Sequence, residues 1–394
     1  MAFSLQSFFD YETKARSMNP NTRLAQQNIP QNGLQYPLGN LLPDWGRCVE
    51  VAPGVLWIRM ALPFALNHIN LWLLRDERNS PSGREPGWTV VDCCIHKEES
   101  IAQWESIFAH ELQGLPILRV IVTHMHPDHV GLAHWLCARW NVPLYMSGTD
   151  YQVACAGSTS PTAFAGDGGA NFFASHGLHD PEILSQIRAR TRYFVSMVPA
   201  MPRHYHRLLD GMTLHIGGRS WRCISGYGHA PEHMALYCED LQILIGGDMM
   251  LPTISTNVSV YEQEPEANSL ALFLSSIDKF RPLPAQTLTL PAHGRPFIGL
   301  HQRIEQLHAH HRYRLRDVLQ ACQQQSCSAA DLLPVLFART LDAHQTTFAM
   351  GEAIAHLHYL WFANQLERFA DENGITRFRI PAAVTESNGA PPPV

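Results

Sequence analysis

Thr123-His124-Met125-His126-Pro127-Asp128-His129-Val130-Gly131 is the stretch that decides how this chain is read. It follows Ile117-Leu118-Arg119-Val120-Ile121-Val122, a run rich in β-branched residues with no helical period, which predicts a buried strand. Four side chains able to ligate a metal then arrive within six residues, where the strand stops. Three imidazoles and a carboxylate so close together would repel or stay unsatisfied in a core unless a cation held them. Pro127 disfavours a continuous helix through the segment, so the side chains are expected to fan out from a turn. Gly131, Leu132, Trp135 and Leu136 then begin a helix.

His-x-His-x-Asp-His after a hydrophobic strand resembles the signature of the metallo-β-lactamase superfamily, which includes thioesterases, lactonases, nucleases and oxidoreductases. The family's other motifs have counterparts in the same order. Gly228-His229-Ala230-Pro231-Glu232-His233 resembles its Gly-His-Thr-Pro-Gly-His, and Gly246-Gly247-Asp248 resembles the motif with its bridging aspartate. Pro291-Ala292-His293-Gly294 resembles the motif of its last histidine, and Thr89-Val90-Val91-Asp92 its first strand motif. The resemblance implies an α/β fold, an αββα sandwich with metals at one edge between two sheets. It implies that His124, His126 and His229 bind one metal, that Asp128, His129 and His293 bind another, and that Asp248 bridges them. Two divalent ions are the implied cofactors, zinc by default, with iron or manganese equally compatible with imidazole and carboxylate ligands. His233 matches a position that is usually not a ligand, and Glu232 stands where many relatives have glycine. Asp92 reads either as a strand-end turn residue or as the partner that fixes a ligand histidine's tautomer.

A hydrophobic share of 45% with 16% charged residues fits a soluble globular enzyme, and 394 residues allow a large domain plus a smaller one. A formal net charge of −6 argues weakly against nucleic acid as the main partner. Nine cysteines without paired spacing favour free thiols, and Met1 to Arg16 lacks a secretory pattern, so a cytoplasmic location is expected. Cys93 and Cys94 read as packing residues. Gly54 to Leu74 is interrupted by Arg59, Pro63, Asn67, His68 and Asn70, which suits two strands and a bend and not a membrane span.

Along the chain, residues 1–45 are expected to form an extended arm lying on the domain or on a partner subunit, as in a homodimer. Residues 46–300 form the expected catalytic domain. Val49 to Leu74 predicts an antiparallel meander, Asn79 to Gly87 a turn-rich loop, and Glu98 to Leu112 an amphipathic helix. Residues 150–208 correspond, by the resemblance, to a helical insertion that roofs the site and selects substrate. Within it Ser158 to Gly169 reads as loop, Asp180 to Met197 as helical, and Arg203 to Arg207 as a surface helix end, the alternative being that Tyr205 or one of these histidines reaches a substrate carbonyl or carboxylate. Residues 251–266 read as a loop that could edge the pocket. Residues 301–381 are mostly helical and resemble the winged-helix region of some superfamily hydrolases. Here His308, His310 and His311 show no carboxylate partner, Ser328 is a candidate cap, and a helix spans Phe348 to Phe369. Residues 382–394 read as a disordered tail.

The function implied is a dinuclear metal-dependent hydrolase of a small ester, thioester or lactone. Its ions would share a water and lower its pKa towards roughly 7, and Asp128 would orient that nucleophile as well as ligate. The alternatives are a phosphodiesterase or nuclease with the same metals, which calls for a basic groove, and a non-hydrolytic di-iron or binding member. True β-lactamase activity is not expected, given the insertion and the C-terminal module.

Overall fold

The computed structural model describes residues 29–31, 33–81, 83–160 and 166–381. Residues 1–28 of the arm, 161–165 of the small-residue segment and the tail 382–394 therefore lie outside the described residues. Among the described residues, seventeen strands follow in chain order: β1 (Ile29–Gln31), β2 (Leu34–Tyr36), β3 (Cys48–Ala52), β4 (Val55–Ala61), β5 (His68–Ser80), β6 (Gly83–Val91), β7 (Ile117–Ile121), β8 (Leu144–Ser147), β9 (Tyr205–Leu208), β10 (Thr213–Ile216), β11 (Arg219–Gly226), β12 (His233–Cys238), β13 (Ile243–Gly247), β14 (Leu288–Pro291), β15 (Phe297–Ile298), β16 (Glu367–Ala370) and β17 (Thr376–Arg379). The first sheet has the order 3-4-5-6-7-8-9 and the second the order 1-2-15-14-13-12-11-10.

The strand sequences alternate between two cores. Val55, Trp57, Trp72, Leu74, Val91 and Ile121 face inward and meet Trp221, Leu236, Ile245 and Leu290 of the second sheet. Their chain neighbours Ile58, Leu71, Leu73, Val90 and Val120 point the other way and pack under Trp104 and Ile107 of the Glu98–His110 helix and Leu136 of the Ala133–Trp140 helix. On the far side, Ala235, Tyr237 and Leu244 are covered by Phe273 and Ile277 of the Ser269–Asp278 helix, Ile304 and Leu307 of the Leu300–Gln324 helix, and Ile354 of the Ala343–Phe362 helix. Strands buried on both faces explain the near-continuous apolar runs. The result is four layers, αββα, as the motifs implied. Trp57 and Trp72 stack at the centre with ring centroids 6.2 Å apart, a pairing worth about 0.5–1.5 kcal/mol beyond area burial.

β6, β7, β8 and β9 run parallel, and so do β13 and β14. Loops leaving their C-terminal ends consequently gather along one edge of the sandwich. Asn70 of β5 ties the sheets together there: its Oδ1 accepts from Trp57 Nε1 at 2.8 Å, and its Nδ2 donates to the carbonyls of Pro291 at 2.9 Å and Gly294 at 2.8 Å.

Several local expectations are corrected. Asn79 to Gly87 is the tip of a long β5–β6 hairpin, paired as far as Ser80 with Gly83, with exposed ion pairs Arg78–Glu85 and Arg84–Glu77 across it. Arg203 to Arg207 is no helix end, because Tyr205–Leu208 pairs with β8 as the sheet's edge strand. Gly166–Ser175 is helical, and the Asp180-to-Met197 helix is two, Pro181–Ala189 and Tyr193–Met197, broken at Arg192 in the left-handed region (φ 64°). Part of the arm, Leu34–Tyr36, joins the second sheet through β15. The last long helix is Ala343–Phe362, and Glu367–Ala370 beyond it forms a hairpin with Thr376–Arg379. His308 does have a carboxylate partner, Asp278, at 2.8 Å. Ser328 and Asp331 bond reciprocally and start the turn that leads to the short Leu333–Leu336 helix. The cysteines are free thiols. Among the described residues no helix is long and apolar enough to cross a membrane.

Candidate metal centre

The loops that end on this edge carry all seven side chains singled out in the sequence. His124, His126, Asp128 and His129 follow β7, His229 follows β11, Asp248 follows β13 and His293 follows β14. The structure brings them into two adjoining groups, His124, His126, His229 and Asp248 in one and Asp128, His129 and His293 in the other, each with its donor atoms within 4.8 Å of one another. Asp248 faces both. Its Oδ2 lies 3.2 Å from His229 Nε2, and its Oδ1 lies 3.4 Å from His293 Nε2. Asp128 Oδ2 is 3.4 Å from His293 Nε2 and 3.7 Å from His129 Nε2. Pro127 opens a single helical turn, Pro127–Val130, at the N1 position where its missing N–H costs nothing, and this turn carries Asp128 and His129, the latter with its ring 3.9 Å from that of His124.

The outward nitrogens fix which inward atoms are free. His229 Nδ1 donates to the Asn257 carbonyl and His293 Nδ1 to the His68 carbonyl, both at 2.7 Å. A carbonyl only accepts, so in the neutral ring Nδ1 holds the proton and Nε2 is left with the lone pair facing the centre. His129 Nδ1 donates to Asp92 Oδ2 at 2.8 Å, and His124 Nδ1 lies 3.1 Å from Thr123 Oγ1, whose own proton goes to Asp92. Asp92 thus anchors His129 directly and His124 through Thr123, and it does so with its backbone at φ 64°, a conformation rare for a non-glycine residue. His126 differs, turning Nδ1 inward, 2.9 Å from His124 Nε2.

Three imidazoles converge, with His124 Nε2 at 2.9 Å from His126 Nδ1 and 3.2 Å from His229 Nε2, a crowding of ring nitrogens at one point. Burial together with the neighbouring imidazoles holds His124 well below its usual pKa, and burial with His229 takes His126 to about 3. On the other side burial also opposes charge, but the carboxylates win: Asp92, Asp128 and Asp248 raise His129, and Asp248 and Asp128 raise His293 to about 10. The carboxylates therefore favour positive charge on the His129 and His293 side of the centre. His129 Nε2 and Asp248 Oδ1 are buried without a hydrogen bond among the described residues, as ligands of a cation would be. The donor set fits divalent metals. His233, set aside as a ligand, is fully buried beside the cluster, its ring 5.0 Å from that of His124, and belongs to neither group.

Sequence reasoning missed the supports supplied from a distance. Thr123, the carbonyls of His68 and Asn257, and Asp150 have no ligand character in a motif. Only their place in the fold sets them here. Glu232, in place of the family's usual glycine, accepts from Thr149 Oγ1 at 2.9 Å, so the substitution adds a tie to the loop.

Known proteins resemble this chain. Residues 83–293 match the model of the metallo-beta-lactamase superfamily, and residues 315–381 match that of the metallo-beta-lactamase-like C-terminal domain. A beta-lactamase domain protein of Burkholderia ambifaria is 49% identical, with a TM-score of 0.83 over 88% of this chain and 98% of its own. A metallo-beta-lactamase family protein of Thermus thermophilus is 26% identical, with a TM-score of 0.68 over 84% of this chain and 100% of its own. The probable metallo-hydrolase YqjP of Bacillus subtilis is 23% identical over 316 residues, 78% of this chain and 92% of that protein. With more than half its length matching the family model and its donor side chains gathered at the sandwich edge, the chain belongs to the metallo-β-lactamase superfamily.

Proposed function

We propose that this protein is a two-metal hydrolase of a small ester, thioester or lactone. The observation that carries the reading is the position of Asp248, with one carboxylate oxygen turned to His229 and the other to His293, so that one side chain serves two neighbouring donor groups. His124, His126 and His229 would hold one ion, Asp128, His129 and His293 the other, and Asp248 both. Divalent ions bound there would supply Lewis acidity and an acidified water at neutral pH, with zinc the default on ligand type. Asp128 would accept a hydrogen bond from the attacking water and so orient it, and its side chain keeps 19% of its surface exposed while His129 and His293 are closed in. Asp92 and the carbonyls of His68 and Asn257 would keep the imidazole protons on the outward nitrogens.

The substrate class rests on the rim. Tyr193 stands near enough to Asp128 that, with burial the larger cause, its phenol is pushed up to about 12. The ring of His344 lies 5.9 Å from Tyr193, 6.0 Å from Phe64 and 5.0 Å from Phe348. An aromatic wall assembled from the β4–β5 bend, the insertion and the C-terminal module suits an apolar acyl or lactone part better than a phosphodiester backbone. Arg190, over the Tyr193 ring, has Asp342 for company.

The test is a panel of lactones, thioesters and bis(p-nitrophenyl) phosphate with zinc-loaded and chelator-treated protein. Turnover of an ester-type substrate that chelation abolishes and zinc restores is expected, with His344→Ala raising KM more than it lowers kcat. Preference for the phosphodiester, or turnover indifferent to chelation, would refute the proposal.

A further inference from the structure

Asp150 comes from none of the motif stretches. It sits in the first turn of the Gly148–Thr159 helix, directly after β8, with its N–H capped by Ser147 Oγ. It is fully buried. Its Oδ1 accepts the Met125 N–H at 2.7 Å, and its Oδ2 accepts the Glu232 N–H at 2.5 Å. Met125 lies between His124 and His126, and Glu232 lies three residues beyond His229. A single carboxylate thus straps together the two backbone segments that deliver three imidazoles of one donor group. The adjacent Thr149 tightens the same strap through the Glu232 carboxylate. Asp128, His129 and His293 hold no hydrogen bond to Asp150; Asp92 and the His68 carbonyl support two of them instead.

We propose that Asp150 is a positioning residue that sets the affinity of one ion of the pair, the one held by His124, His126 and His229. The inference rests on the two-ion reading above. Two backbone N–H groups converge on Asp150 from different loops, so a carboxylate, which accepts with both oxygens, is required. An asparagine accepts with one atom only, and its amide would turn a donor towards a buried donor.

The experiment is Asp150→Asn in the full chain, with zinc titrated against a chromophoric chelator. Cadmium NMR of the loaded protein gives a resonance for each ion, assigned with His229→Ala and His293→Ala. Wild type is expected to bind two ions tightly. Asp150→Asn should keep the ion assigned with His293 and weaken the one assigned with His229 by about 10- to 100-fold. Thr149→Val, which leaves the buried carboxylate in place and so guards against a folding failure, should weaken the same ion by about 2- to 10-fold. The proposal is overturned if Asp150→Asn and Thr149→Val both bind two ions as wild type does, or if the ion lost is the one assigned with His293. Wild-type protein that binds fewer than two ions overturns the two-ion reading itself, and the proposal with it.

Discussion

Asp92→Asn isolates what a single anchoring carboxylate contributes. Asparagine tolerates the left-handed backbone at this position much as aspartate does, so the φ of 64° adds no new cost. The amide oxygen can stay on Thr123, where Asp92 Oδ1 now accepts the backbone N–H at 2.8 Å and the hydroxyl at 3.0 Å. The amide nitrogen then replaces Oδ2, which accepts from His129 Nδ1 at 2.8 Å. Two buried donors would face each other, at a cost of roughly 1–3 kcal/mol. His129 can escape by moving its proton to Nε2, but that removes its lone pair from the donor group. Either way the ion of the Asp128, His129 and His293 group should bind about 10- to 100-fold more weakly, or about 1.4–2.8 kcal/mol. Zinc titration against a competing chelator, with circular dichroism to verify folding, reads this directly. A folded Asp92→Asn protein that binds both ions with wild-type affinity would refute the argument that the His129 tautomer is held by this bond.

Two further predictions concern stability. A Cβ on Gly131 would lie 2.6 Å from the carbonyl oxygens of Met197 and Pro127 and 2.7 Å from that of Cys94, so Gly131→Ala should lower stability by roughly 1–3 kcal/mol in a thermal melt. Gly169→Ala, whose Cβ meets nothing closer than 4.0 Å, should show no such loss. Asp342 caps the Ala343–Phe362 helix, accepting from Gln345 N at 2.8 Å while Gln345 Oε1 accepts from Asp342 N at 3.3 Å, so Asp342→Ala should cost about 1 kcal/mol in denaturant unfolding.

The first half of the candidate site was legible because its chemistry is compressed at one strand end, where His124 to His129 declare themselves within six residues. His229, Asp248 and His293 are single side chains scattered along the chain, and only the resemblance of their motifs to the family's singled them out. The layered architecture was legible through the same resemblance, and the structure shows its physical basis in β4, where Val55 and Trp57 face one core and Ile58 the other. The misread segments have weaker local signals than tertiary ones. Ser80-Pro81-Ser82-Gly83 looks like the heart of a loop, yet Ser80 pairs with Gly83 and the flanking charges pair across the hairpin. Tyr205 to Leu208 is polar and carries no strand pattern, and only the open edge of β8 makes it a strand. The break at Arg192 falls in a stretch, Glu182 to Met197, with neither proline nor glycine to mark it. Asp150 was invisible because its meaning lies in two N–H groups 25 and 82 residues away.

The Asn70 side chain gives the sandwich a seam at this end. It clasps the Pro291 and Gly294 carbonyls on either side of His293, while the carbonyl of its neighbour but one, His68, holds the His293 ring. Parting the two sheets here would pull His293 out of place, and an ion seated on His293, as proposed above, would resist that parting. On that reading, loading the centre and holding this end of the sandwich together would be linked, with part of the binding free energy appearing as stability.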